Sequence, residues 1–309
     1  MKSTRAAFLI LTVPFALFVL SPFLALADDP APAALQADSV PLTSLPIPAR
    51  QPDALTGSAF YTAANGLSVS ARQEKIFKEI THGNVPDFMR TLKPITSTAV
   101  INSVSRTATF YVAPDYVCVG SDTDFFRLPM TPMLAQQIAD VTSCTLPTRK
   151  MVNSIYAQAT VKLAPQPISP TTTDITLFST FYQHNSMIET SRAGNPLGGV
   201  VGGIKKDIVV TPRLLEQSNR VAIYGWHQLD GTPIQPLTIV HGSSYMDYSH
   251  GVRLVRSTCL LDGAPTTVKA IIADPVLNVL LSDEGANTVT TYPIPNPILL
   301  KYSNPLYVH

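Results

Sequence analysis

The chain has 309 residues, a formal net charge of +1 and a charged fraction of 14%, well under the ~25% usual for soluble domains. A weakly charged, nearly neutral chain offers no broad basic face, which argues against nucleic acid as a partner. Its 27 prolines point to a loop-rich protein.

In chain order the first element reads as an export signal. Met1 to Arg5 is short and basic, Ala6 to Leu24 is almost unbroken apolar sequence, and Ala25-Leu26-Ala27 is a small-x-small cleavage site before Asp28. The run is near spanning length, but Pro14, Pro22 and the cleavage triplet favour removal. No later segment is apolar enough to cross a bilayer, so no stable membrane span is expected after cleavage of residues 1–27. Cleavage takes away Lys2 and Arg5 and no acid, moving the net charge from +1 to −1. The expected location is periplasmic or secreted, the wrong compartment for ATP chemistry.

Residues 28–57 are rich in Pro, Ala, Ser and Thr without periodicity and read as a flexible tether. A single domain over 58–309 is expected to follow, with candidate lobes 58–164 and 174–309 flanking the Pro- and Thr-rich connector at 165–173. Ser70 is placed to cap a helix, with Gln73 as its capping-box partner. Ile76, Phe77 and Ile80, then Phe88, Met89 and Leu92, follow helical spacing across the break at Gly83-Asn84 and Pro86. Three strand-like runs come next, 99–104, 107–112 and 116–119, and Ala113-Pro114-Asp115 reads as the hairpin turn joining the last two. Helices are expected over 133–141 and after Thr148, and a strand over 175–182. The glycine-rich stretch 194–203 is an adaptable loop; its spacing to Lys205 is one residue off a phosphate loop, with no Ser or Thr following. Strands follow at 205–211 and 220–227, short helices at 266–273 and 275–281, and a small strand near 298–302. This mixed order predicts an α+β fold, with a short mixed or antiparallel sheet and flanking helices. Cys118, Cys144 and Cys259 have no zinc spacing, and in an oxidising compartment two of them can pair. Asp122 and Asp124 read as a solvated turn at a strand end.

The densest chemistry lies between 227 and 253. His241, Asp247 and His250 sit on and between predicted strands, where two imidazoles and a carboxylate can converge to activate water. With His227 as a third imidazole, His227, His241 and His250 can instead hold a divalent metal, the one cofactor the sequence allows. Arg253 is the candidate binder of an oxyanion or carboxylate. Ser249 completes the candidate catalytic set, although a nucleophile elbow would need a helix after it and an acid and His downstream; the only later His is His309. Lys205 and Lys206, which open a neighbouring strand, and Trp226, Tyr245 and Tyr248 are the candidate substrate-binding residues.

Val240-His241-Gly242 followed by Ser249-His250-Gly251-Val252-Arg253-Leu254 resembles the L,D-transpeptidase (YkuD-type) signature. In that family a His-Gly pair precedes Ser-x-Gly-Cys and an Arg, and the Cys attacks a peptidoglycan stem peptide. Here Val252 follows Gly251 directly, the nucleophilic Cys is missing, and the two His-Gly pairs are closer together. The resemblance therefore implies a cell-envelope setting and not that mechanism. A papain-like reading of Cys144 fails in a similar way, because Cys144 precedes Pro147 and is not at a helix's first turn. Two functions are thus expected. One is an exported hydrolase acting on a cell-envelope (peptidoglycan-like) or extracellular polymer through the His/Asp cluster. The other is a non-catalytic secreted glycan- or peptide-binding module, with Trp226, Tyr245 and Tyr248 as an aromatic platform.

Overall fold

The computed structural model describes residues 40–217 and 219–293. The export signal, the tether up to 39 and the strand expected near 298–302 lie outside the described residues. Residues 40–57, expected to be tether, are instead packed. Leu45 is buried in the core, Ser44 bridges to Thr91, and the Arg50 guanidinium donates to Asn84 Oδ1, Gly120 O and Ala54 O. Such a strap is fixed by its backbone and one cation, so it needs no apolar periodicity.

Helix α1 (Gly57–Ala64) is capped by Thr56 and docked by Asp124, which accepts from Ser58 N and Oγ. Helix α2 (Val69–Thr81) is capped by Ser68 rather than Ser70. Both serines satisfy the local pattern, but Gln73 is buried and committed elsewhere. It accepts from Thr131 Oγ1 and donates to Met246 Sδ, so it cannot close a capping box.

Strands β1 (Lys93–Ile101) and β2 (Val104–Val112) form a hairpin in register from Lys93↔Val112 to Ile101↔Val104. Its turn, Asn102-Ser103, has φ of 50° and 66°, the left-handed pair that matches strand twist. The hairpin expected around Ala113-Pro114-Asp115 does not form; β3 (Cys118–Ser121) pairs with β4 (Asp124–Arg127). The reason is Asp115, whose carboxylate takes the next residue's N–H and the Arg127 guanidinium. Ala113 and Val117 donate their N–H groups to Leu254 and Val252.

Helices α3 (Pro132–Val141) and α4 (Arg149–Gln158), capped by Thr131 and Thr148, flank β5 (Cys144–Thr145). After β6 (Val161–Lys162) the connector leads into α5 (Phe178–Arg192), a helix where a strand was expected. Its buried residues include Thr180, His184 and Asn185 beside Phe178, Phe181 and Ile188, so polar side chains occupy core positions and blur the apolar period.

The remaining elements are β7 (Val201–Gly202), β8 (Lys206–Ile208), β9 (Ile223–His227), β10 (Pro233–Thr238), β11 (His250–Gly251), β12 (Val255–Arg256), β13 (Thr258–Leu261), β14 (Ala264–Thr267) and α6 (Val268–Ala273). One sheet runs β14-β13-β2-β12-β5 with β1 on β2, and a second runs β10-β9-β8-β11. The second is antiparallel except for the parallel β8–β11 pair. The fold is α+β with mixed sheets. The candidate lobes share one core, which takes Ile76, Phe110 and Leu146 together with Val209, Leu254 and Ile271. All three cysteines are free and buried, so none of them is paired. Burial pushes the Cys144 and Cys259 thiols up to about 12, far from a reactive thiolate. Among the described residues, no helix is long and apolar enough to cross a membrane.

Candidate functional site

The second sheet splits the residues that the sequence groups together. Cross-strand partners share a face and neighbours along a strand alternate. Lys206 pairs with Gly225 and with His250, while Asp207 pairs with Tyr224 and with Gly251. Lys206 and His250 therefore lie on one face, and Asp207 and Tyr224 on the other. At the end of β9, Gly225 and Trp226 have φ of 105° and 56°. A Trp in the left-handed region is a strained position, and it sends Trp226 and His227 to different environments. Trp226 packs edge-on against His184 and Tyr248, and His227 stacks on Tyr156 at 4.5 Å.

On the first face the Asp247 carboxylate accepts from Ser249 N (2.8 Å), Ser249 Oγ (2.5 Å) and Tyr245 Oη (3.1 Å). Burial would raise its pKa, but His250, Lys206 and the Ser249 bonds outweigh this and hold it below the usual range. His250 Nε2 is 3.9 Å from Asp247 Oδ2, too long for a hydrogen bond, and both its ring nitrogens are buried without partners. Burial drives its pKa down to about 4. His241 is only partly buried and stacks on Tyr245 at 4.0 Å. Lys205 Nζ lies 3.0 Å from His184 Nδ1 and donates to Tyr248 O at 2.5 Å. Burial brings the lysine down to about 7 and the histidine to about 2.

Several expected roles fail on this geometry. His227 is on the opposite face from His250, and among the described residues no three His, Cys, Asp or Glu side chains are grouped to hold a metal. The metal set His227, His241 and His250 is therefore not assembled. Trp226 and Tyr248 are buried, so they form no exposed platform with Tyr245. Lys205 is buried too, and only Lys206, whose Nζ sits 5.3 Å over the Trp226 ring, reaches solvent. Arg253 does not line the open cleft. Its guanidinium donates to the carbonyls of Ala113, Pro114 and Val201 and lies 4.2 Å over the Tyr116 ring. It clamps the main chain that follows β2 to that of β7.

The second His-Gly pair owes its glycine to this packing. A Cβ on Gly251 would fall 2.5 Å from Tyr116 Cδ1 and 2.7 Å from Lys205 Cβ, whereas one on Gly242 would meet nothing within 4 Å. Gly251→Ala is expected to cost about 1–3 kcal/mol through overpacking, and Gly242→Ala to stay within about 0.5 kcal/mol. Chemical denaturation of the two variants checks this; equal effects would refute it.

The opposite face carries an open cleft of about 480 Å³, lined by Asn153, Tyr156, Lys162, Tyr224, His227 and Asp230, within the size range of ligand sites. At its inner end is His227. Asn153 Oδ1 accepts from Tyr224 Oη at 2.8 Å and lies 3.0 Å from His227 Nε2. An amide oxygen only accepts, so Nε2 carries the proton and Nδ1 keeps its lone pair. Burial lowers the imidazole pKa to about 4, so it is neutral near pH 7. A Cβ on Gly225 would stand 3.5 Å from Nδ1, and the glycine keeps that side clear. Behind His227 lies a chamber of about 10 Å³, bounded by Tyr116, Tyr156, Asp207, His227 and Arg253, about the size of one water. Tyr116 Oη donates to Asp207 Oδ2 at 2.9 Å, and burial raises the Asp207 pKa to about 6.

Asn153, Tyr156, Tyr116 and His184 are residues that sequence reasoning leaves unassigned, and Asp207 has no role of its own there. One signal for Asp207 is legible: a carboxylate directly before the apolar run Ile208-Val209-Val210 sits where the strand enters the core. Asn153 and Tyr156 stand three apart on α4, one turn of one helix face, but nothing local links them to His227. The chain matches no family model, no curated protein and no solved structure.

Proposed function

We propose that the protein is an exported hydrolase that cleaves a cell-envelope or extracellular polymer in the His227 cleft. The observation that carries this reading is a neutral imidazole with one nitrogen fixed by Asn153, standing between an open cleft and a one-water chamber that holds a carboxyl group. His227 Nδ1 takes a proton from water as its oxygen attacks the scissile carbon. The Asp207 carboxylate stabilises the imidazolium that results, and the proton passes from His227 to the leaving atom as its bond breaks. Tyr156, Tyr224, Lys162 and Asp230 give the cleft both ring faces and charges, which suits a polar chain lying across it. Export rests on the character of residues 1–27.

The test is hydrolysis of purified peptidoglycan, muropeptides and aryl esters by wild type, His227→Gln and Asp207→Asn. Glutamine can still donate to Asn153 but cannot take the proton, so a loss of about 10²–10⁴-fold is expected. Asp207 must be ionised, so the rate should plateau above about pH 6 and fall below it; Asp207→Asn should lower the plateau and move the acid limb toward the His227 value of about 4. Binding without turnover, or turnover unchanged in His227→Gln, would leave the cleft as a binding groove only.

A further inference from the structure

The side chains lining the His227 cleft differ in what they have left to offer a ligand. Asn153 Oδ1 is shared by Tyr224 Oη and His227 Nε2, and Tyr156 Oη donates to Gln228 O at 2.6 Å. Both phenol hydrogens are therefore spent on the protein. Leu229 and Pro233 bring no polar side-chain atom to the lining. Two charges are the exception. Lys162 lies on β6 and Asp230 on the turn between β9 and β10, so two separate elements carry them to one cleft.

Lys162 Nζ gives one hydrogen to Ala157 O at 3.2 Å and sits 5.0 Å over the Tyr156 ring. An ammonium has three hydrogens, so others stay available. Asp230 is held by its own turn, where Oδ1 accepts the Thr232 N–H at 2.8 Å. Both side chains are exposed, and among the described residues neither takes part in an ion pair. They are nonetheless close to the same ring: burial and then the Asp230 charge push the Tyr156 phenol up. A cation and an anion thus stand around Tyr156 without closing on each other. Leu229, 62% exposed, lies in the same lining as apolar surface that a bound chain would cover.

We infer that the cleft takes a peptide segment bearing both a carboxylate and an ammonium, the first set on Lys162 and the second on Asp230, in preference to a neutral glycan. The inference rests on the His227 cleft being the hydrolytic site, and narrows its substrate from any envelope polymer to an amphoteric peptide. A sugar chain is the poorer match. Each hydroxyl that leaves water needs a new hydrogen-bond partner, and the phenols of the cleft have already given theirs. Charges at an exposed rim keep part of their water and are screened by salt, so each pair adds modest affinity. Their larger effect is to select and orient the chain.

The probes are di-, tri- and tetraalanine, whose termini carry the two charges at separations rising by about 3.5 Å per residue. N-acetylated and C-amidated forms of each, and chitotriose as the neutral glycan, are the comparisons. Binding is read from saturable movement of the amide resonance of Gly231, a lining residue. Wild type and His227→Gln are titrated side by side, so that binding is seen apart from turnover; wild type alone suffices if the variant does not fold. At least one free peptide should bind, and acetylation or amidation should each weaken it about fivefold. Chitotriose should bind more weakly than that peptide. Lys162→Met should erase the cost of amidation alone, and Asp230→Asn that of acetylation alone; both sites are exposed, so the fold is retained. No saturable movement with any peptide, equal affinity for free and blocked forms, chitotriose binding as tightly as the free peptide, or unchanged discrimination in the two variants would each overturn the inference. Binding with this discrimination but no hydrolysis of any peptide would overturn the catalytic reading instead and leave the ligand class standing.

Discussion

Asp115→Ala is expected to destabilise the fold by about 3–5 kcal/mol, the cost of leaving a buried cation short of its partner, read as a fall in Tm on the order of 10 °C. Arg127 and Asp115 are 0% and 1% exposed and meet through two parallel bonds, Nε to Oδ1 at 2.9 Å and Nη2 to Oδ2 at 2.6 Å. The other hydrogen bonds of the Arg127 guanidinium reach α5, at Asn185 Oδ1 and Glu189. Asp115 also holds the turn that leads β2 away from β3, through the N–H of Tyr116. Removing it therefore loosens the docking of α5 and the placement of Tyr116 behind the cleft together. Arg149→Ala is the contrast: its pair with Asp283 is partly exposed, and about 0–1 kcal/mol is expected. Thermal or urea melts decide the matter; a loss for Asp115→Ala no larger than that for Arg149→Ala would show that the buried pair is not what anchors α5.

Stability should also fall steeply on mild acidification. Burial holds His184, His227 and His250 at about 2, 4 and 4, against 6.5 in the unfolded chain. A base whose pKa is depressed by folding binds more protons when unfolded, so its contribution is complete above pH 6.5 and is lost as pH falls toward the folded value. Asp207 acts in the opposite sense: its folded pKa is about 6 against 3.8, so the folded state binds the extra proton between those values. Three histidines less one aspartate leave a net uptake of roughly two protons on unfolding near pH 5, or about 3 kcal/mol per pH unit. Lys205, brought from 10.5 to about 7, adds a further gain in stability as pH rises through that interval. Urea denaturation at pH 7, 6 and 5 measures the slope, and stability that is flat or rising toward pH 5 would contradict the burial of these rings.

How much of this was legible from the residues alone depends on whether the signal was local. The helices α3 and α4 were, because Thr131 and Thr148 cap apolar stripes within their own ten residues. So was the α+β class, and so was the crowding of His, Asp and Tyr between Trp226 and Arg253, though not its burial. The 113–115 turn misled because Pro and Asp announce a change of direction without naming the strand's partner. Helix α5 misled because its core-facing His184 and Asn185 bond Lys205 and Arg127, neither of them sequence neighbours.

Sequence by itself thus determined the class of fold, the Thr148 cap, and which stretch would carry imidazoles and carboxylates on and between strands. The tertiary structure alone decided which face of the sheet each of them occupies. A strand's side chains alternate, so a single residue's displacement in pairing sends a group to the other side. The left-handed backbone at Gly225 and Trp226 and the parallel pairing of β11 with β8 set that placement here. They put His227 and Asp207 on the side of the open cleft, and His250 with Lys206 on the other, though all four lie within a few strands of one another.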